Sequence, residues 1–179
     1  SGLWSVLRSS EDEVLKGSLL ITLYENLRWK TISPQGFREE MLAYLPNESN
    51  SLLFSMALSY LGDCQRIFPS DSRPLEQVLW KIVTTNPVSQ HRLQAFRLYR
   101  SIADSEEAVQ RLYTLWQERK APKDCTLSES DYIGLSYMLA MHLPEKADKI
   151  IATQLSRIQN PDRKKEYRFI SCLLYTSPS

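Results

Sequence analysis

The 179-residue chain reads as an all-α protein, and three observations carry that reading. Apolar residues recur at helical i, i+3 and i+4 spacing from one end of the chain to the other. Caps, prolines and short polar breaks interrupt them at regular intervals. Only 5 glycines are present and no run alternates β-branched with polar residues, so a sheet has no candidate strands.

Glu11 to Phe37 sets the pattern of helix, short turn, helix. Ser10 and Glu13 form a capping-box pattern, and Glu11 to Glu13 place negative charge at the positive end of a helix. Leu15, Leu19, Leu23 and Leu27 form one apolar row, widened by Leu20 and Tyr24. Val14 and Ile21 form a second flank, which predicts a helix lying between two neighbours. Gly17 sits inside it, at a cost of roughly 1 kcal/mol relative to Ala, and a close helix approach would compensate. Glu25, with Arg28 three residues on, is either an exposed ion pair or a satisfied buried acid. After the break at Lys30-Thr31, Ser33 caps a second helix with Pro34 at its first position. Phe37, Met41, Tyr44 and Leu45 form its apolar face, and Pro46 stops it.

Asn47 to Phe68 predicts a third helix, capped near Asn47 or Asn50, with Leu52, Leu53, Met56, Leu58, Tyr60 and Leu61 as core. Gly62 falls either near its end or at a close contact. Pro69 to Ser72 is turn chemistry. Pro74 opens a fourth helix through Leu75, Val78, Leu79, Ile82 and Val83. A fifth spans Val88 to Ile102, with Leu93, Phe96, Tyr99 and Ile102 at helical spacing. Asp104 or Ser105 caps a sixth, which carries Val109, Leu112, Tyr113, Leu115 and Trp116. Lys120 to Asp124 is the longest polar connection. Ser128 and Asp131 cap a seventh helix, Tyr132 to His142. Pro144 opens an eighth, Glu145 to Ile158, and Asn160-Pro161-Asp162 a ninth, reaching at least Ser171.

Taken in pairs, the helices start near residues 11, 48, 88, 128 and 161, a spacing of roughly 33 to 41 against the ~40-residue period of HEAT and armadillo arrays. The pairs do not repeat in sequence. The expected architecture is therefore an irregular α-α superhelix of about nine antiparallel helices, HEAT/armadillo-like, in which stacked neighbours bury each other's apolar faces.

Composition excludes several function classes. A net charge of +1 is too small for a nucleic-acid partner, and the basic run Arg163-Lys164-Lys165 is broken by Glu166. No run of 18 apolar residues occurs, so no membrane span is expected and the chain reads as soluble, its compartment undetermined. No secretory leader pattern is present, and the start at Ser1-Gly2 without Met reads as an internal fragment. Cys64, Cys125 and Cys172 lack metal spacing and fit buried free thiols. His91 reads as a surface or partly packed residue. His142 ends the seventh helix, where its charge complements the dipole. Glu145 and Asp148 beside it are a weak metal signal. No HExxH helix, GxSxG elbow or phosphate loop is present. No catalytic, metal or cavity-lining residue is assigned. Most of the four tryptophans and nine tyrosines are expected in the core, with a minority on a concave surface as the alternative.

Three segments resemble, in order, the C-terminal helical domain of aminopeptidase N-like zinc metallopeptidases. Leu23-Tyr24-Glu25-Asn26 followed by Ser33-Pro34 is similar to the family's opening helix pair. Leu45 to Leu61 is similar to its next helix, where an acid and a polar cap precede a long apolar run ending in Tyr-Leu. Ile158 to Ile170 resembles a late Asn-Pro-Asp-Arg turn leading into a basic-aromatic helix. The resemblance implies a parent enzyme that removes N-terminal residues from peptides, with zinc held by HExxH and a downstream glutamate in a catalytic domain that this chain lacks. This part would close the cavity over the active site, with the parent's catalytic domain as its partner and no cofactor of its own. Residues 1–171 then form one incomplete helical-repeat domain. Residues 172–179 depart from the family, resemble a translated sequencing-adaptor read-through and read as a non-native tail that packs poorly from Leu173 onward. The rival expectation is a self-contained HEAT-like adaptor that binds a peptide or protein on its concave face.

Overall fold

The computed structural model describes residues 2–175, the side chain of Tyr175 excepted, so residues 176–179 of the expected tail lie outside it. Among the described residues the fold is all-α: ten helices, two 3₁₀ turns and no strand. The chain divides at Ala103–Asp104 into two compact units.

The first unit opens with a helix the sequence reading passed over, α1 (Gly2–Ser9). It is a short helix, but Trp4 and Leu7, three apart, are both buried, and Trp4 meets Phe37 edge-on at 5.7 Å. Helix α2 (Glu13–Arg28) follows, its cap shifted two residues from the expected Ser10. The Asp12 carboxylate accepts from Val14 N and Leu15 N, while Ser10 Oγ accepts from Asp12 N. A carboxylate satisfies two orphan donors and meets the helix dipole with a full charge, which a hydroxyl cannot do. Leu19, Leu20, Leu23 and Leu27 are buried as the pattern predicts, but Leu15, Val14 and Ile21 are exposed, Val14 at 80%. The two-sided apolar surface of α2 is thus covered on one side by α1, α3 and α4, and its Val14–Ile21 flank faces solvent. Glu25 and Arg28 are exposed, which removes the buried-acid alternative for Glu25.

The break between the helices is an Asn26-anchored turn. Thr31 N donates to Asn26 O at 2.9 Å, and the Thr31 hydroxyl reaches the same carbonyl. Helix α3 (Pro34–Tyr44) starts as expected, with Ser33 Oγ accepting from Gly36 N, and a 3₁₀ turn at Leu45–Asn47 ends it at Pro46. Asn50 is the cap of α4 (Ser51–Ile67). Leu52, expected in the core, points outward at 69% exposure, and Phe54, outside the expected core, is fully buried. Helices α5 (Arg73–Thr85) and α6 (Ser89–Ile102) complete the unit; α6 packs on both α5 and α4.

The second unit contains α7 (Glu106–Glu118), α8 (Glu129–His142), α9 (Ala147–Arg157) and α10 (Pro161–Tyr175), each in contact with the next. Ser105 caps α7. The Ser128–Asp131 capping box is present in full, and Asn160 Oδ1 accepts from Asp162 N and Arg163 N at the start of α10. Trp116, Leu112, Leu135, Leu139 and Ile150 fill the core. Buried polar tips are paired: Trp116 Nε1 donates to Gln154 Oε1 at 2.8 Å, and the Tyr167 hydroxyl lies 2.9 Å from Ser136 Oγ. Helix α10 continues through Cys172 to Tyr175, with Leu173 and Leu174 exposed.

Gly17 and Gly62 have different roles. At Gly62 an added Cβ would stand 2.9 Å from Leu98 Cδ1, so the close-contact alternative describes it, and α6 approaches α4 there. At Gly17 the nearest atom is Leu53 Cδ2 at 3.7 Å, ordinary contact, so the expected close approach is not what places a glycine in α2. Gly17→Ala is therefore expected to stabilise the protein by about 1 kcal/mol, read as a higher urea midpoint at unchanged m-value.

Candidate functional site

The densest polar chemistry in the first unit surrounds Glu48, between the 3₁₀ turn and α4. Proline 46 and the Asn50 cap hold this three-residue link in place, and they turn the Glu48 side chain inward until 2% of it is exposed. Lys16 Nζ, from α2, lies 2.5 Å from Glu48 Oε1, and the Tyr44 hydroxyl of α3 donates to the same oxygen. Asn50 N donates to Oε2 at 3.0 Å. Lys16 also stands 5.8 Å from the centre of the Tyr44 ring. Burial raises the Glu48 pKa, but bonds from Lys16, Tyr44 and Asn50 N outweigh it and hold the carboxyl below the usual range. Tyr44 is pushed far above the ordinary phenol range, by burial first and then by the bond to Glu48.

His91 adjoins this group. It is wholly buried, its ring stacks on Phe54 at 4.1 Å, and its Nε2 lies 3.2 Å from Ser51 Oγ. Its Nδ1 has no partner. Burial lowers its pKa and the Glu48 charge pulls the other way, with burial prevailing. A neutral ring with the proton on Nε2 leaves only a bare lone pair unpaired, a smaller penalty than an orphaned N–H. The surface or partly packed role expected for His91 is corrected: α6 turns its first-turn face into the core against α4.

Glu, Lys, Tyr, Ser and His side chains thus meet within one unit, yet the arrangement is closed. Both Glu48 oxygens are engaged, and the Tyr44 proton is held by a stronger base than solvent. A carboxylate in this state accepts no proton near neutral pH and an anchored phenol releases none. The cluster's chemistry is to fasten α2, α3 and α4 to one point. The sequence carried one signal for it, an acid two residues before an Asn cap.

A second polar group ties α3 to α4 and the loop before α5. Arg38 is 8% exposed; its Nε donates to Gln65 Oε1 at 3.1 Å, and Gln65 Nε2 donates to Ser70 O. Beside it Cys64 is fully buried, and burial raises its thiol pKa against the opposing Arg38 charge. Cys125 is half-buried and Cys172 exposed, so buried thiols describe only Cys64 of the three. In the second unit His142 Nδ1 lies 2.9 Å from Met138 O, and its Nε2 is 3.5 Å from Asp104 Oδ1. Its acidic partner is thus Asp104, not Glu145 or Asp148. Among the described residues no three potential ligands converge on a metal position. No described helix is long and apolar enough to cross a membrane.

Comparison with known proteins gives no identification: no protein-family model, no curated protein and no solved structure matches this chain.

Two outcomes follow for the Glu48 group. Glu48→Gln leaves Lys16 without its counter-charge and is expected to lower stability by about 3 kcal/mol in urea unfolding. His91 has a depressed folded pKa, so its contribution is complete above the unfolded value of about 6.5 and is lost as pH falls through the folded one. The urea midpoint of the wild type is expected to fall between pH 7 and 5 more steeply than that of His91→Gln; parallel curves would refute the assignment.

Proposed function

We propose that this chain is the C-terminal helical domain of a zinc aminopeptidase of the aminopeptidase N type, a part that closes the cavity over the active site and is not catalytic alone. The observation that carries the proposal is the ordered resemblance of three segments, at Leu23–Pro34, Leu45–Leu61 and Ile158–Ile170. Each holds residues with a definite task at a helix junction. Tyr24 donates to Asp63 Oδ2 at 2.9 Å and stacks on Tyr60 at 4.2 Å, joining α2 to α4. Asn26 anchors the turn into α3. Glu48 is the acid before the Asn50 cap, and Asn160 caps α10. An irregular HEAT-like stacking of the helix pairs belongs to the same reading.

Zinc does not fit the described residues. Of the two histidines, one is buried on Phe54 and Ser51 and the other is held by Met138 O and Asp104. On this reading the metal, its HExxH helix and the peptide-cleaving step lie elsewhere in the parent chain, and peptide substrates meet this part only as a wall. Exposed apolar side chains on the adjoining helices α1 and α2 (Leu3, Val6, Val14, Leu15, Ile21) favour a covered face over a free one, and the parent's catalytic domain is the proposed cover.

The test is the coding sequence upstream of Ser1. An HExxH motif with a downstream glutamate, in frame, is expected. A start codon directly before Ser1 would replace this reading with the self-contained adaptor. The purified chain should release nothing from aminoacyl reporters with or without added zinc, and robust hydrolysis would overturn both readings. Light scattering should show concentration-dependent association through the uncovered face, whereas a monodisperse monomer at high concentration favours the adaptor.

A further inference from the structure

Two guanidiniums of the second unit line one small cleft. Arg157, at the end of α9, stands 4.7 Å from the centre of the Trp116 ring. Its Nη1 and Nη2 donate to Trp116 O and Gln117 O at 2.8 and 2.9 Å, the last carbonyls of α7. Those acceptors are neutral, and they use two of the five N–H groups a guanidinium carries. Arg119, just past α7, sits 5.9 Å over the Tyr132 ring. The two Arg side chains, with Tyr132, Gln154, Leu127 and Glu129, line a cleft of about 100 Å³, the volume of roughly three waters. Glu129 is already taken, its Oε1 accepting from Arg163 Nη1 at 2.9 Å. Facing the cleft are the half-buried Arg157 and the exposed Arg119, beside the Tyr132 ring and the Glu129 carboxylate.

The backbone at Arg119 supplies an independent observation. Arg119 is the C-cap of α7 in the left-handed conformation, φ 53° and ψ 39°. Its N–H reaches Trp116 O and Leu115 O, and Lys120 N donates to Leu115 O at 3.1 Å, the closing pattern for which glycine is the favoured residue. A branched cation here costs strain that glycine would avoid. Its like charge beside Arg157 adds a repulsion that lowers the Arg157 pKa after burial has done so. Arg157 joins α9 to the end of α7, and a bound anion would relieve the repulsion between the two guanidiniums.

We propose that the Arg119–Arg157 cleft is a binding site for a small oxyanion of phosphate or carboxylate type. The ligand would take the Arg157 N–H groups not used by Trp116 O and Gln117 O, together with the Arg119 guanidinium, beside the Tyr132 ring. Charge-assisted bonds to two guanidiniums suit such a ligand, and bidentate pairing favours Arg over Lys for it.

The experiment measures thermal stability of the whole chain during titration with inorganic phosphate and, separately, acetate, at ionic strength held constant with chloride. A saturable rise in Tm with either anion is expected, and the anion that produces it identifies the ligand type. Arg119→Gly separates function from fold. Without anion its Tm should exceed the wild type, because the left-handed position is relieved. The anion-dependent rise should weaken roughly tenfold or more in apparent affinity. Arg119→Lys, which keeps the charge and loses the fork, should retain part of it. No saturable effect of either anion on the wild type, or an effect unchanged in Arg119→Gly, would overturn the proposal.

Discussion

The first unit depends on a buried ion pair whose cost the fold must cover with geometry. Taking Glu48 and Lys16 out of water costs several kcal/mol per ion, and their attraction repays it only if the remaining lone pairs and protons are used. Tyr44, Asn50 N and the 2.5 Å contact with Lys16 meet that requirement from three directions. Because the donors come from α2, α3 and the α4 cap, the pair is satisfied in one arrangement of these elements and in no slid register. Apolar packing alone would tolerate several; a helix rotated by one residue still shows leucines. The ion pair selects among them, a specificity role more than a stability one.

This explains which features could be read from the sequence. Helix positions from Glu13 to the start of α10 follow from apolar spacing and from caps at Ser33, Ser128 and Asn160, because those signals are local: one side chain, one turn, one dipole. Failures occur where a distant neighbour decides. Leu52 and Phe54 are both apolar on one helix, and only the approach of α6, bringing His91 against Phe54, determines which faces inward. Val14 and Ile21 look like a core flank by periodicity, yet no described helix covers them. His91 reads as a surface residue between Gln90 and Arg92, and tertiary contact alone buries it. Helix α1 escaped notice because eight residues provide barely two turns of pattern, and its stability derives from Trp4 against Phe37.

The candidate sites were less legible still, for a related reason. Glu48 carries a faint local mark, its place before the Asn50 cap, but Lys16 lies 32 positions earlier and nothing in the sequence joins them. Arg119 and Arg157 are 38 apart, and each alone is an ordinary surface cation at the end of a helix. Chemistry assembled from single residues on different helices has no motif. A superposition of helix ends creates it.

The two polar sites also differ in kind, and the difference separates scaffold from candidate function. Around Glu48 the carboxylate, the Lys16 ammonium and the Tyr44 hydroxyl complement one another, so this trio is closed and adding a ligand to it would break more bonds than it formed. Around Arg157 the acceptors are neutral carbonyls, the neighbouring guanidinium repels, and the residue at the helix end holds a conformation that favours glycine. Structural economy accounts for the Glu48 cluster; at Arg119 the proposed anion would supply the favourable interaction that the neighbouring guanidinium does not.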